Sequence, residues 1–187
     1  MFANVDHFAQ GMNICDSVTD MMISGTRHGL TPVQKEELFK LLHRLPNLQT
    51  LRHGNCQGAD EEIDELVRSH VAVGGRELTI HIHPATNKTW SAACERRHGE
   101  HVLHACRTYL KRNEDMVNAA QLAVCFPKTE VEERRGGTWY VVRTARRTKT
   151  PLVIVYPSGA LSAEPDIDQE RPHVGAAPTA SVDGVVG

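Results

Sequence analysis

Five short apolar runs, separated by longer amphipathic segments, constrain the fold of this chain more than any other feature. The runs are Met21–Ser24, Leu48–Leu51, Leu78–His83, Leu122–Phe126 and Leu152–Tyr156. Apolar residues at helical spacing fill most of the segments between them. Strands that alternate with helices favour a parallel sheet with right-handed crossovers. The pattern predicts a Rossmann-like three-layer α/β sandwich with a mainly parallel sheet of about five strands.

Residue composition divides the chain into three parts. Residues 1–19 are weakly patterned, and we expect an N-terminal extension there. Residues 20–157 carry the alternating runs and form the predicted domain, in which residues 85–109 are interpreted as loop plus a short helix. Residues 158–187 are rich in Ala, Pro, Gly, Ser and acidic residues, which predicts a flexible C-terminal tail.

Overall composition indicates an ordinary globular protein of the cytoplasm. A net charge of -2 gives no indication of general nucleic-acid binding. No apolar run approaches the roughly 20 residues of a membrane helix, and Met1–Asp20 lacks the pattern of a signal peptide. The five cysteines are irregularly spaced, which favours reduced thiols over a disulfide framework. We expect no cofactor.

The turn after the fourth run has the composition of a phosphate-binding site. It reads Glu132-Glu133-Arg134-Arg135-Gly136-Gly137-Thr138-Trp139 and leads into a helix. The free N–H groups and the positive dipole end of a helix attract anions, and glycines allow a ligand to approach the backbone. Arg135 offers a forked donor, and Arg143 lies within reach on the same helix. The sequence predicts that a phosphate binds Gly136, Gly137 and Thr138.

Ligands of open α/β sheets bind at the carboxyl ends of the strands, which directs attention to the other loops at that edge. The loop after the first run offers small, hydroxyl and basic groups, although it also fits an ordinary turn. The loop after the second run has two glycines and a cysteine that is interpreted as a packed residue rather than a nucleophile. We expect a phosphorylated ligand to meet Ser24, Gly25, Thr26, Arg27, Gly54, Cys56, Gly58, Arg112 and Asn113.

A histidine and cysteine cluster in the third quarter of the chain invites comparison with a zinc site. Its members are His81, His83, Cys94, His98, His101, His104 and Cys106. Zinc sites use compact repeated spacings such as Cys-x2-Cys, and no such pair occurs here. We therefore predict no metal and interpret these residues as surface histidines on a variable insert.

Several ordered motifs make residues 20–157 resemble the SLOG superfamily, the Rossmann-like group that includes the Lonely Guy nucleotide hydrolases and DNA-processing protein A. The chain is most similar to an uncharacterised nucleotide-binding-like branch. The matching motifs are Gly54–Asp60 after the second strand, His83-Pro84 after the third, Tyr109–Asn113 before a helix, Pro127-Lys128, and Glu132–Trp139 followed by Arg143.

The resemblance implies a nucleotide-type ligand, a site formed by these motifs, and homo-oligomerisation. Cleavage of an N-glycosidic bond is the alternative to binding alone, and it needs a carboxylate near the anomeric carbon. The candidates are Glu114, Asp60 and Glu133. Lonely Guy hydrolases carry a glutamate three residues after the Gly-Thr threonine, where this chain has Val141. That substitution argues against transferring their mechanism, so enzymatic activity stays open.

Overall fold

The computed structural model describes residues 16–74 and 78–164. Four helices and seven strands form the described part of the chain. In chain order they are β1 (Asp20–Gly25), α1 (Pro32–Arg44), β2 (Thr50–His53), α2 (Ala59–Gly74), β3 (Thr79–Ile82), β4 (His101–Leu103), α3 (Tyr109–Ala119), β5 (Leu122–Phe126), α4 (Gly137–Thr148), β6 (Leu152–Val155) and β7 (Leu161–Glu164). A single 3-10 turn, Cys94–Arg96, lies between β3 and β4. None of the described helices has the length and apolar character needed to cross a membrane.

The strands form one sheet in the order β4-β3-β2-β1-β5-β6-β7. All neighbouring pairs are parallel except β6 and β7, which are antiparallel. The predicted Rossmann-like α/β fold is therefore confirmed. The order of strands across the sheet changes direction at β1. The strands β2, β3 and β4 extend the sheet on one side of β1, and β5, β6 and β7 extend it on the other side.

The two strands that the sequence pattern did not indicate lie at the edges of the sheet. β4 falls in the segment interpreted as loop plus short helix, and its three residues are too few for an alternating pattern. β7 falls in the predicted tail and pairs with β6 through a turn in which the Tyr156 N–H donates to the Ala160 carbonyl and the Gly159 N–H donates to the Tyr156 carbonyl. The tail prediction is thus wrong for residues 158–164, while residues 165–187 and 1–15 lie outside the described part of the chain.

Two apolar clusters cover opposite faces of the sheet and make the fold three-layered. On one face, α1 and α2 pack on alternate residues of the central strands, such as Met21 and Ile23. On the other face, α3 and α4 pack on the intervening residues, such as Met22. Every residue of β5 is buried, as expected for a strand covered on both sides. Val141 of α4 is fully buried in the second cluster.

The start of α1 fixes two loops at the carboxyl edge of the sheet. Thr31 and Gln34 form a capping box in which each side chain bonds the backbone of the other. The Gln34 amide nitrogen also donates to the carbonyls of Pro127, at 3.0 Å, and Val155, at 2.9 Å. Gln34 is 1% exposed. One buried side chain therefore fixes the positions of the carboxyl ends of β5 and β6.

Replacing Gln34 by alanine should destabilise the protein by about 2–4 kcal/mol, because two carbonyls and the Thr31 N–H lose their buried partner. Urea unfolding measures the change. The exposed Gln49 supplies a matched control, and Gln49→Ala should change the free energy of unfolding by less than about 0.5 kcal/mol. Equal losses in the two variants would contradict the role assigned to Gln34.

Candidate functional site

A cleft of about 1100 Å³ opens at the carboxyl edge of the sheet, between the loops that follow β1 and β5. β1 and β5 are the neighbouring strands at which the order of the strands changes direction. Crevices form at such points in open α/β sheets. The sequence-predicted residues that line the cleft are Gly25, Thr26, Arg27, Glu133, Arg135, Gly136, Gly137 and Thr138. The loop after β1 and the turn before α4 are therefore brought together as expected.

The first turn of α4 faces this cleft without a cap. Gly136 precedes the helix with a φ of 127°, in the region that favours glycine, and no side chain bonds the helix start. Among the described residues, no acceptor bonds the N–H groups of Gly137, Thr138 and Trp139. Unbonded N–H groups and the positive end of the helix dipole provide an anion site.

Basic side chains dominate the charge around the cleft. Arg27, Lys128, Arg134 and Arg135 all line it. Lys128 pairs with Glu133 at 3.5 Å, whereas no described carboxylate pairs with any of the three arginines. Their guanidinium groups are therefore available to a bound anion, and their charge adds to that of the helix start.

Arg112 and Asn113 do not line the cleft, contrary to the sequence-based expectation. Arg112 is 2% exposed and donates through Nη1 to the carbonyl of Gly54 and, at 3.1 Å, to that of His83. Its guanidinium lies 4.8 Å from the ring centre of Tyr109. Asn113 is equally buried. Arg112 therefore joins the loops after β2 and β3, and its charge is not available to a ligand.

Two of the three predicted catalytic carboxylates also serve structural contacts. Asp60 Oδ2 accepts from the N–H groups of Gly54, at 3.0 Å, and Cys56, at 3.3 Å, which folds the loop after β2. Glu114 accepts from the Tyr140 hydroxyl at 2.6 Å, and this hydrogen bond lowers its pKa. Neither lines the cleft. Glu133 is the one sequence-predicted carboxylate at the cleft wall.

The remaining predicted residues shape the walls or lie near them. Burial raises the pKa of the Cys56 thiol, with Asp60 adding to the effect, so Cys56 is a poor nucleophile. Gly58 has a φ of +88°, and an added Cβ would lie 2.5 Å from the Arg27 carbonyl group. Ser24 is buried in β1. Arg143 donates to the carbonyls of Glu133 and Arg134 and thereby holds the turn before α4.

Sequence reasoning missed a wall of the cleft formed by large side chains. Trp90 is 51% exposed and Tyr109 is 43% exposed, and both line the cleft. Trp90 lies in the segment 85–109, which was interpreted as loop plus a short helix, and a lone tryptophan between Thr and Ser was the available signal. Tyr109 belongs to a motif quoted for its arginine and asparagine. The other lining residues that were not predicted as site residues are His28, Gln57, Pro127, Lys128, Arg134 and Trp139.

A smaller cavity of about 230 Å³ adjoins the cleft. Arg27, Trp90 and Tyr109 line both spaces and form the boundary between them. The other walls come from the loops after β2 and β3, and they are mainly apolar. Gly54 and Cys56, which were predicted to contact the ligand, lie in this second cavity.

Two groups of potential metal ligands lie close together, and several of their members make hydrogen bonds. His81, His83 and His104 place ring nitrogens within 4.8 Å of one another. Arg52 donates to His81 Nδ1 at 3.0 Å, which sets a positive charge against this group, and His83 stacks on His104 at 3.8 Å. The second group, His53, Asp64 and Cys94, is fully buried, and His53 bonds Asp64 at 3.1 Å. The absence of a metal stays a prediction, but His83 is buried rather than at the surface.

Comparisons with known proteins do not identify the chain. No family model, no curated protein and no solved structure matches it. The SLOG resemblance therefore stays a prediction, and function is argued from the geometry of the cleft.

Acid should destabilise the protein through His83. Burial, reinforced by His104 and Arg52, lowers the pKa of His83 to about 3, whereas the unfolded chain takes up this proton near pH 6.5. Protons therefore favour the unfolded state as the pH falls below 6.5, by about 2 kcal/mol at pH 5. Urea unfolding at pH 7.5 and pH 5 should show a smaller acid loss for His83→Gln than for the wild type. Equal losses would contradict this assignment.

Proposed function

We propose that this protein binds a nucleotide or a nucleotide-derived ligand of the NAD or ADP-ribose type in the cleft. The observation that carries the proposal is the uncapped start of α4, which meets three arginines without carboxylate partners in one space. The phosphate would accept hydrogen bonds from Gly137, Thr138 and Trp139. Arg27 and Arg135 would supply charge-assisted contacts from two sides.

The size of the cleft supports a ligand larger than inorganic phosphate. Small-molecule sites commonly measure about 300–1000 Å³, and this cleft reaches about 1100 Å³. A phosphate occupies a small part of that space. A nucleoside or a second phosphoryl group attached to it would fill the remainder.

The resemblance to the SLOG superfamily supports the same assignment. Four of the quoted motifs contribute residues to the cleft wall: Gln57 from Gly54–Asp60, Tyr109 from Tyr109–Asn113, Pro127-Lys128, and most of Glu132–Trp139. The departure at Val141 is also informative, because that side chain is buried among apolar residues of α4 and the sheet. A phosphoribohydrolase mechanism that uses a glutamate at that position is therefore not proposed here. Homo-oligomerisation and a cytoplasmic location stay predictions.

Cleavage of an N-glycosidic bond is the second candidate function, and it depends on Glu133. This carboxylate lines the cleft beside the proposed phosphate site and pairs with Lys128. Loss of that ion pair on ligand binding would release Glu133 to stabilise positive charge at an anomeric carbon. Asp60 and Glu114 are held elsewhere by the contacts described above.

A thermal-shift screen against nucleotides, NAD, ADP-ribose and cyclic ADP-ribose tests the binding proposal. A ligand present at 100 times its Kd stabilises the folded protein by about 2.7 kcal/mol, which raises Tm measurably. Chromatography of each mixture that shows a shift then reports any released base. Absence of a shift with every phosphorylated nucleoside would refute both candidate functions.

The phosphate contacts predict distinct losses in two variants. Arg135→Ala should weaken binding of a ligand found in the screen roughly 10- to 150-fold, because a charge-assisted hydrogen bond is lost. Thr138→Val keeps the backbone N–H but should still weaken binding roughly tenfold or more, because the hydroxyl's hydrogen bond to the charged phosphate is lost. Calorimetric titration measures both. Arg96→Ala removes an exposed arginine outside the cleft and should leave Kd unchanged; unchanged Kd values in all three variants would refute the site.

Glu133 separates binding from cleavage. If a base is released from any ligand, Glu133→Gln should reduce the rate by about 100-fold or more while the ligand still binds. Glu114→Gln is the matched control and should retain the rate, because Glu114 lies outside the cleft. Release that persists in Glu133→Gln, or the absence of release from every bound ligand, would refute the hydrolase alternative.

A further inference from the structure

We infer that the smaller cavity receives the aromatic base of the nucleotide, so that the ligand spans two compartments of different chemistry. The inference rests on the proposed function and deepens it by assigning a separate site to the base, which a sugar phosphate would leave empty. Its phosphate end lies at α4, and its base end lies between Trp90 and the loops after β2 and β3.

Continuity between the two spaces is the first argument. Arg27, Trp90 and Tyr109 each line both the cleft of about 1100 Å³ and the cavity of about 230 Å³. A ligand anchored at Gly137 and Thr138 therefore reaches the cavity by passing along these three side chains.

The exposed aromatic rings are the second argument. Trp90 and Tyr109 are 51% and 43% exposed, although large aromatic side chains are usually covered. The Arg27 guanidinium lies 4.7 Å from the ring centre of Trp90. A planar base would cover apolar surface at this boundary, and bases stack on aromatic rings and on guanidinium planes. A sugar phosphate has no planar group with which to do so.

The lining of the small cavity is the third argument. Its walls are mainly apolar and include Ala85 and the backbone of Gly54. Asn55 is locked, because its side chain donates to Glu95 and accepts from the N–H of Cys94. Asn87 is different: its Oδ1 accepts from Thr89, while its Nδ2 has no acceptor among the described residues. A mainly apolar chamber that offers a few side-chain donors, among them the Asn87 amide, suits a heterocyclic base with an acceptor on its edge.

The cationic and apolar spaces therefore select different halves of one molecule. The cleft attracts the phosphate through arginines and helix N–H groups, and a sugar phosphate would make these same contacts. The second cavity offers no ion-pairing group except Arg27 at its boundary. Its occupation by a base accounts for features of Trp90, Tyr109 and Asn87 that phosphate binding does not require.

Calorimetric titration with AMP, GMP, CMP, UMP and ribose 5-phosphate tests the inference on the full chain. Ribose 5-phosphate shares the sugar and the phosphate but lacks the base. At least one nucleotide should bind about tenfold or more tightly than ribose 5-phosphate. Trp90→Ala should remove most of that advantage while leaving ribose 5-phosphate within about twofold of the wild type, since base stacking is the interaction lost.

Two further variants and a spectroscopic signal complete the test. Trp90→Phe should keep most of the nucleotide advantage, because a stacking ring remains. Leu103→Ala is the matched control, since Leu103 is 54% exposed and lines neither space. The chain has two tryptophans, and Trp139 is only 3% exposed. A base that stacks on the exposed Trp90 should quench the emission of that residue. Ribose 5-phosphate should not quench it, and Trp90→Phe should lose the quenching but keep the binding.

The outcomes separate the inference from the proposed function. Equal affinity for ribose 5-phosphate and every nucleotide would overturn the base site and leave the phosphate site intact. The base site would also be overturned by two results together: Trp90→Ala still prefers a nucleotide over ribose 5-phosphate, and nucleotide binding does not quench the fluorescence of the wild type. Nucleotide binding itself would still be supported by that outcome. Absence of binding by every probe would refute both the inference and the proposed function.

Discussion

The pairing of β1 with β2 on one side and β5 on the other is the constraint on which the rest of the structure depends. β1 is the central strand, and its main-chain groups are bonded to neighbours along both edges. The chain leaves β1 towards β2 on one side of the sheet, and it leaves β5 towards β6 on the other side. The loops that follow β1 and β5 therefore diverge. The cleft is the space between these loops. The helices on either face bury the apolar surface that keeps the sheet in this order.

Polar groups near the cleft fall into two classes that differ in their surroundings. Arg112 and Asp60 are buried and spend their hydrogen bonds on the loop after β2, which gives that loop a fixed position. A buried charge without partners would cost several kcal/mol, so such groups are held by the fold. Arg134 and Arg135 are exposed and have no carboxylate partner among the described residues. The exposed arginines and the uncapped helix start are therefore the groups on which the proposed ligand site depends, while the buried groups hold the loops in place.

The sequence predicted the central strands and helices well, because buried parallel strands produce continuous apolar runs. It missed β4 and β7 because edge strands are short and half-covered, so their composition resembles that of loops. The same limit applied to the site. Local chemistry was enough to propose Gly136, Gly137 and Thr138. The burial of Arg112 instead depends on Gly54 and His83, which lie 58 and 29 positions before it in the chain. Spacing along a helix could not distinguish a guanidinium that faces a ligand from one that faces two carbonyls.

The sequence by itself determined the α/β alternation and the glycine-rich, uncapped start of α4, since both arise from neighbouring residues. Tertiary structure alone decided which charges remain available to a ligand. It buried Arg112, Asp60 and Val141, directed Glu114 towards Tyr140, and left Glu133 at the cleft wall. It also brought Trp90 from an unpatterned segment to the boundary between the two cavities. The physical reason is that burial and hydrogen-bond pairing depend on distant segments, which meet only when the sheet assembles.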